Sequence, residues 1–179
     1  METSIKKGVV SIIIIGTVIT ASLLNSENNE QEKFNPMEVE KIILQKSDLP
    51  GYSLKYQDKR FFVSQTGIAQ SFISPTGEEI YVRYTAFNSL EEALKGAKYH
   101  LENIASVFQE GSFTGVKIGD KSWVPVPENR GWDSSILFVK SNFLILLGIL
   151  PHNAKEIEID ENEKAVENIA QIIIKKIEK

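Results

Sequence analysis

Hydrophobic and polar positions along the chain fall into three regimes. A run from Gly8 to Leu24 (GVVSIIIIGTVITASLL) carries no charge and follows Lys6 and Lys7. Residues 25–33 (NSENNEQEK) are polar and without apolar periodicity. From Phe34 onward apolar residues recur at helical or strand spacing, which marks the folded part. Asn35-Pro36 reads as a helix start, with Asn as N-cap and Pro at the first helical position, where its missing N–H costs nothing. Val39, Ile42 and Ile43 extend that helix to Lys46, where Ser47-Asp48-Leu49-Pro50-Gly51 ends it. Strands are expected over Tyr52–Ser64, Gly67–Ser74 and Glu79–Asn88, the last two forming a hairpin around Pro75-Thr76-Gly77. On the third strand Ile80, Val82, Tyr84 and Ala86 share one face, and Tyr81, Arg83, Thr85 and Phe87 the other. Neither face is purely polar, so something should pack on part of the second.

Ser89, with Glu92 three residues later, is a capping box. Leu90, Ala93, Leu94, Ala97, Leu101, Ile104, Ala105 and Phe108 then predict a helix running to Gly111. Phe113–Ile118 and Ser122–Val126 read as two short strands about Gly119-Asp120, followed by a Pro/Gly loop over 125–133 (PVPENRGWD). Ser135–Lys140 and Phe143–Leu150 form a hairpin around Ser141-Asn142. FLILLGIL is apolar on both faces, as a central strand covered on both sides must be. Val166, Ile169, Ala170, Ile173, Ile174 and Ile177 lay one stripe along a C-terminal helix from about Asp160 to Glu178. With no βαβ alternation, the predicted class is α+β: a mainly antiparallel, curved sheet of about six or seven strands flanked by helices, preceded by an N-terminal hydrophobic helix.

Two lysines ahead of an apolar run have the layout of a secretory signal, and Thr20-Ala21-Ser22 offers a small-x-small cleavage site. The same run, 17 residues or roughly 25 Å as a helix, also fits a single membrane anchor. Either way the positive-inside rule keeps Lys6 and Lys7 in the cytoplasm and exports the rest, as a secreted or a membrane-anchored, outward-facing protein. The expected organisation is a signal peptide or anchor over 1–24, a polar linker over 25–35, and one exported α+β domain over 36–179. The membrane is a partner through residues 8–24 if they are not cleaved.

Composition removes whole classes of chemistry. There is no cysteine, hence no disulfide, thiol nucleophile, thiolate-bound metal or lipid-anchoring cysteine. The net charge is −4, and loss of Glu2, Lys6 and Lys7 with the leader takes it to −5. No basic stripe points to nucleic acid. Two histidines, His100 and His152, leave little for a metal site, and no metal or cofactor is expected. No nucleophile elbow, zinc-protease pair or phosphate loop occurs.

Asp48-Leu49-Pro50-Gly51-Tyr52, Phe87-Asn88-Ser89-Leu90-Glu91-Glu92-Ala93, Gly119-Asp120-Lys121-Ser122-Trp123 and the hairpin from Phe138 to Leu144 resemble the PsbP/Mog1p-like α/β sandwich domains of exported prokaryotic proteins. The resemblance spans about residues 36–179. It implies a curved antiparallel sheet flanked by helices that serves as a non-catalytic binding or assembly module, and it transfers no catalytic residue.

Among candidate sites, Gly119-Asp120 reads as a tight turn. His100, beside Lys98 and Glu102, reads as a solvated residue on the polar side of the central helix. The acids Glu156, Glu158, Asp160, Glu161 and Glu163 suit the positive end of the last helix better than a calcium loop. Trp123 and Trp132 flank the Pro/Gly loop, either packing over a sheet edge or presenting a contact surface with Glu128, Asn129 and Arg130. These five residues are the expected binding site for an unknown protein or small ligand. The alternatives are an exported hydrolase that uses carboxylates distant in sequence and a structural subunit of an envelope complex.

Overall fold

The structure is a computed structural model, and it describes residues 36–59, 67–104, 108–126, 134–150 and 159–179. The leader, the linker and the loop over 127–133 lie outside these residues. No helix among the described residues is long and apolar enough to cross a membrane.

Helix α1 covers Pro36–Ile42 and leads through a 3₁₀ turn at Lys46–Asp48 into β1 (Ser53–Asp58), β2 (Gly67–Ile73) and β3 (Glu79–Ala86). Helix α2 (Leu90–Ile104) crosses to β4 (Phe108–Glu110), β5 (Lys121–Pro125), β6 (Ser134–Lys140) and β7 (Phe143–Leu150), and α3 (Ile159–Ile177) closes the chain. The seven strands form one sheet in the order β1-β2-β3-β7-β6-β5-β4, with every neighbour antiparallel. This is the α+β class expected from the sequence. Two meanders, β1–β3 and β4–β7, meet where β3 pairs with β7 from Glu79↔Leu150 to Ala86↔Phe143. The two-sided apolar strand β7 therefore lies near the middle of the sheet, as its composition requires.

Helices cover the two faces unequally. On one face α1 packs over β2 and β3 while α3 packs over β6 and β7, which buries Ile80, Val82, Ile145, Leu147, Val166 and Ile173 in the main core. On the other face α2 lies against β6 and β7 and gathers Phe87, Ala93, Ala97, Trp123, Leu137 and Val139 in a second cluster. Part of the second face is thus covered by a helix, as the mixed character of β3 predicts.

Three segments depart from the sequence expectations. Helix α1 stops at Ile42 rather than Lys46, because the backbone of Leu44 is engaged by side chains of the sheet. Its N–H donates to Gln70 Oε1 at 3.1 Å and Tyr84 Oη at 3.0 Å, and its C=O accepts from Gln70 Nε2 at 3.1 Å. Phe108, expected on the stripe of the central helix, instead opens β4 and pairs with Pro125, and edge pairing overrides helical periodicity there. The strand expected over Phe113–Ile118 is a loop. Glu167 of α3 holds it, accepting from the N–H groups of Phe113 at 3.0 Å and Thr114 at 3.1 Å and from the Thr114 hydroxyl. Of the strand expected over Tyr52–Ser64, Ser53–Asp58 is formed and the part from residue 60 lies outside the described residues.

Candidate functional site

The capping residues of α2 set where its side chains fall. Glu92 N–H donates to Ser89 Oγ at 3.2 Å, and the Glu92 carboxylate reaches back to the N–H of Asn88 at 3.2 Å. From that start Ala93 and Ala97 face the sheet, fully buried. Gly96 allows the ring of Phe87 to approach so closely that a Cβ there would lie 2.4 Å from Phe87 Cζ. Small residues let α2 sit low on β6 and β7. The flank of the helix turned toward β5 carries Leu94 and Leu101, seven residues apart, with Lys98 and Glu102 one turn apart outside them.

Opposite that flank stands Trp123, on β5 between Leu137 of β6 and Glu110 of β4. The residue is 9% exposed and belongs to the second cluster. The space between helix and strand is an open groove of about 370 Å³ lined by Leu94, Lys98, Leu101, Glu102, Lys121 and Trp123. The floor is apolar and the rim is charged. Lys121 Nζ lies 5.5 Å from the centroid of the Trp123 ring, within cation–π range, and 2.9 Å from a carboxylate oxygen of Glu110. Lys98 and Glu102 are 3.8 Å apart. Exposed pairs of this kind hold each other by roughly 0.2–1 kcal/mol, so a partner's charges can replace them at small cost. This arrangement suits a contact: an aromatic floor that gains from losing water, inside a rim whose charges are free to re-pair.

Of the five expected site residues, Trp123 packs at the sheet edge, buried in the second cluster, and lines the groove. Glu128, Asn129, Arg130 and Trp132 lie outside the described residues. Sequence reasoning missed that the partner of Trp123 is the flank of α2; the Leu94/Leu101 and Lys98/Glu102 spacings carried that signal. Asp120 is a clamp on the neighbouring hairpin, where its carboxylate accepts the N–H of Ser141 (φ 53°) at 2.7 Å and lies 3.7 Å from Lys140 Nζ.

His100 corrects an expectation. It is half-buried rather than fully solvated: its Nε2 is buried and has no hydrogen-bond partner among the described residues. Desolvation first, and the Arg83 charge second, push the imidazole down to about 4. The sequence placed it by its neighbours Lys98 and Glu102, but residues two apart on a helix do not share a face. Its face is that of Gly96 and Ala97. The acidic run also divides. Asp160 and Glu161 occupy the first turn of α3, where negative charge is favourable, whereas Glu163 is buried. Among the described residues no group of three or more His, Asp or Glu side chains is placed to hold a metal ion.

Among the described residues, an all-antiparallel seven-stranded sheet with one helix on one face and two on the other defines an α+β domain with a groove between helix and sheet edge. No protein-family model and no curated protein matches the sequence. Among solved structures, the extracellular domain of PknH from Mycobacterium tuberculosis matches 83% of this chain and 99% of its own, with a TM-score of 0.51 and 8% identity. At that identity the likeness is one of fold.

Proposed function

We propose that the protein is an exported, non-enzymatic binding domain, membrane-tethered or secreted, that engages a protein or small ligand at the groove between α2 and Trp123. The observation that carries this reading is the groove itself, where an apolar floor meets weakly paired charges. Export is supported by the Lys6-Lys7 leader ahead of the apolar run, and by a fold shared with a domain that is extracellular in PknH. The PsbP/Mog1p-like resemblance agrees with a module that binds rather than catalyses.

A photo-crosslinking amino acid at position 98, on the groove rim, tests the reading in intact cells. It should give a discrete adduct that Trp123→Ala abolishes, while the same group at position 164, on the exposed side of α3, gives none. Equal adducts from both positions, or none from position 98, would remove the groove from consideration. A tag behind Lys179 should be digested by protease added to whole cells; protection until lysis would overturn export.

A further inference from the structure

We propose that the outer surface of the α1/α3 layer docks on an anionic lipid surface and so holds the α2 groove facing away from the membrane. The pairing of the lysines leads there. Each lysine of the sheet and of α2 has a carboxylate partner: Lys55 with Glu79, Lys95 with Glu91, Lys98 with Glu102, Lys121 with Glu110 and Lys140 with Glu178. On the opposite layer the pattern breaks. Lys41 in the last turn of α1, Lys46 in the 3₁₀ turn, and Lys175 and Lys179 at the end of α3 are exposed and in no ion pair. Lys176 brings them to one end of the layer, since its Nζ lies 2.9 Å from Asp48 and ties the end of α3 to the 3₁₀ turn. The last turn of a helix favours lysine, which accounts for Lys41 and Lys175 but not for the lack of partners that α2 supplies to its own. Glu40 and Glu178 are taken up by Lys59 and Lys140. Asp160 and Glu161 sit in the first turn of α3, about 20 Å along the axis from Lys175 and beyond the roughly 10 Å over which charges act at 0.1 M salt. An unbalanced cationic end thus stands on a chain of net charge −4.

Lysines so arranged suit an extended charged surface better than a single ligand. An ammonium on a long stem is a point charge, and these four, spread over two helix ends and a turn, offer no fixed fork for one bound group. Beside an anionic membrane each lysine raises the docked-to-free ratio about fivefold, and the factors multiply without any shaped pocket. The linker over 25–35 has 11 residues and spans at most about 40 Å, close to the diameter of a domain of this size, roughly 40 Å. In the membrane-tethered form, the reading on which this inference rests, the domain therefore stays within about its own width of the bilayer, and charge decides which side faces it. Because α2 covers the other face of the sheet, docking leaves Lys98, Lys121 and Trp123 open to a partner arriving from outside.

Labelling of the full chain in vesicles with a membrane-impermeant amine reagent, read lysine by lysine by mass spectrometry, tests the orientation. In phosphatidylcholine vesicles that contain phosphatidylglycerol, Lys41, Lys46, Lys175 and Lys179 should be protected relative to pure phosphatidylcholine. Lys95 and Lys98 should label equally in both. Salt at about 1 M, where charges act over only about 3 Å, should erase the protection. Lys175→Gln should cut the protection of Lys46 about fivefold, and Lys95→Gln should leave it unchanged. Equal labelling in the two lipids, protection of α2 to the same degree, or protection that survives salt would overturn the proposal. So would polyglutamate in solution protecting the four lysines as strongly as the anionic vesicles do. Release of the chain from vesicles by alkaline carbonate would remove the tether and this inference with it, whereas equal labelling of a chain that resists release removes the docking alone. Crosslinking from position 98 is untouched by either result, so the groove and the docking face fail separately.

Discussion

At the scale of single residues, the turn between the loop and β5 depends on Gly119. Its φ of 66° is one that residues with a Cβ rarely adopt, and a Cβ added there would lie 2.4 Å from the carbonyl oxygen of Val139. The obstacle is backbone in the middle of a sheet, so it cannot swing aside. Gly119→Ala should lower stability by about 2–3 kcal/mol, read as a fall in the urea midpoint with an unchanged slope; a midpoint within error of the parent would mean that the turn relaxes freely. This residue was legible as a turn from Gly-Asp between apolar segments. The packing of Trp123 at the sheet edge was legible, since an aromatic beside a Pro/Gly loop must find either a core or a partner. His100 was not, because its environment is fixed by how closely α2 approaches the sheet, and that distance depends on Gly96 and Phe87, which meet only in the fold. Gln70 likewise reads as one more strand residue. In the structure it is buried and bonded to Leu44, Gln57 and Tyr84, and only the contact explains why a polar side chain is tolerated there.

At the scale of elements, local signals succeeded where an element is long and one face is buried. The α2 cap, the α3 stripe and the β6–β7 hairpin came out close to their observed bounds. They failed where a tertiary partner decides the backbone. Phe108 continues a helical pattern, yet it serves an edge strand. Residues 113–118 alternate like a strand, yet they are tied down by a carboxylate more than 50 residues away in sequence. Glu167 is buried, and its partners are three donors of a single loop. The loop has no ladder of its own, so that one side chain substitutes for one. Glu167→Ala should remove all three of these charge-assisted bonds at a cost of about 2–3 kcal/mol. It should also expose 111–118 to limited proteolysis at a protein concentration and temperature where the parent resists. If cleavage maps elsewhere, the carboxylate is not what holds the loop.

At the scale of the whole molecule, the decisive contact is one that no local pattern specifies. Each meander is readable as a series of hairpins, and the two-sided apolar run of β7 announces a central strand. That its second neighbour is β3 follows only from closing one core. The β3–β7 seam joins halves whose side chains share the main cluster, with Ile80 and Val82 from the first half and Ile145, Leu147 and Val166 from the second. The ends are tied as well, since Lys176 near the end of α3 lies 2.9 Å from Asp48 in the 3₁₀ turn, both half-buried. Separating the halves would strip β7 of its ladder to β3 and open the core that Ile80 and Val82 share with Ile145 and Leu147. Neither meander should therefore persist without the other, although hairpin connectivity alone would permit it. Trp123 on β5 reports on the second meander, and amide exchange in β2 reports on the first. In urea both signals should move through one transition at the same midpoint. A first meander that opens at lower denaturant while tryptophan emission is still native would show that the seam is weaker than the core it closes, and that the protein is built from two units rather than one.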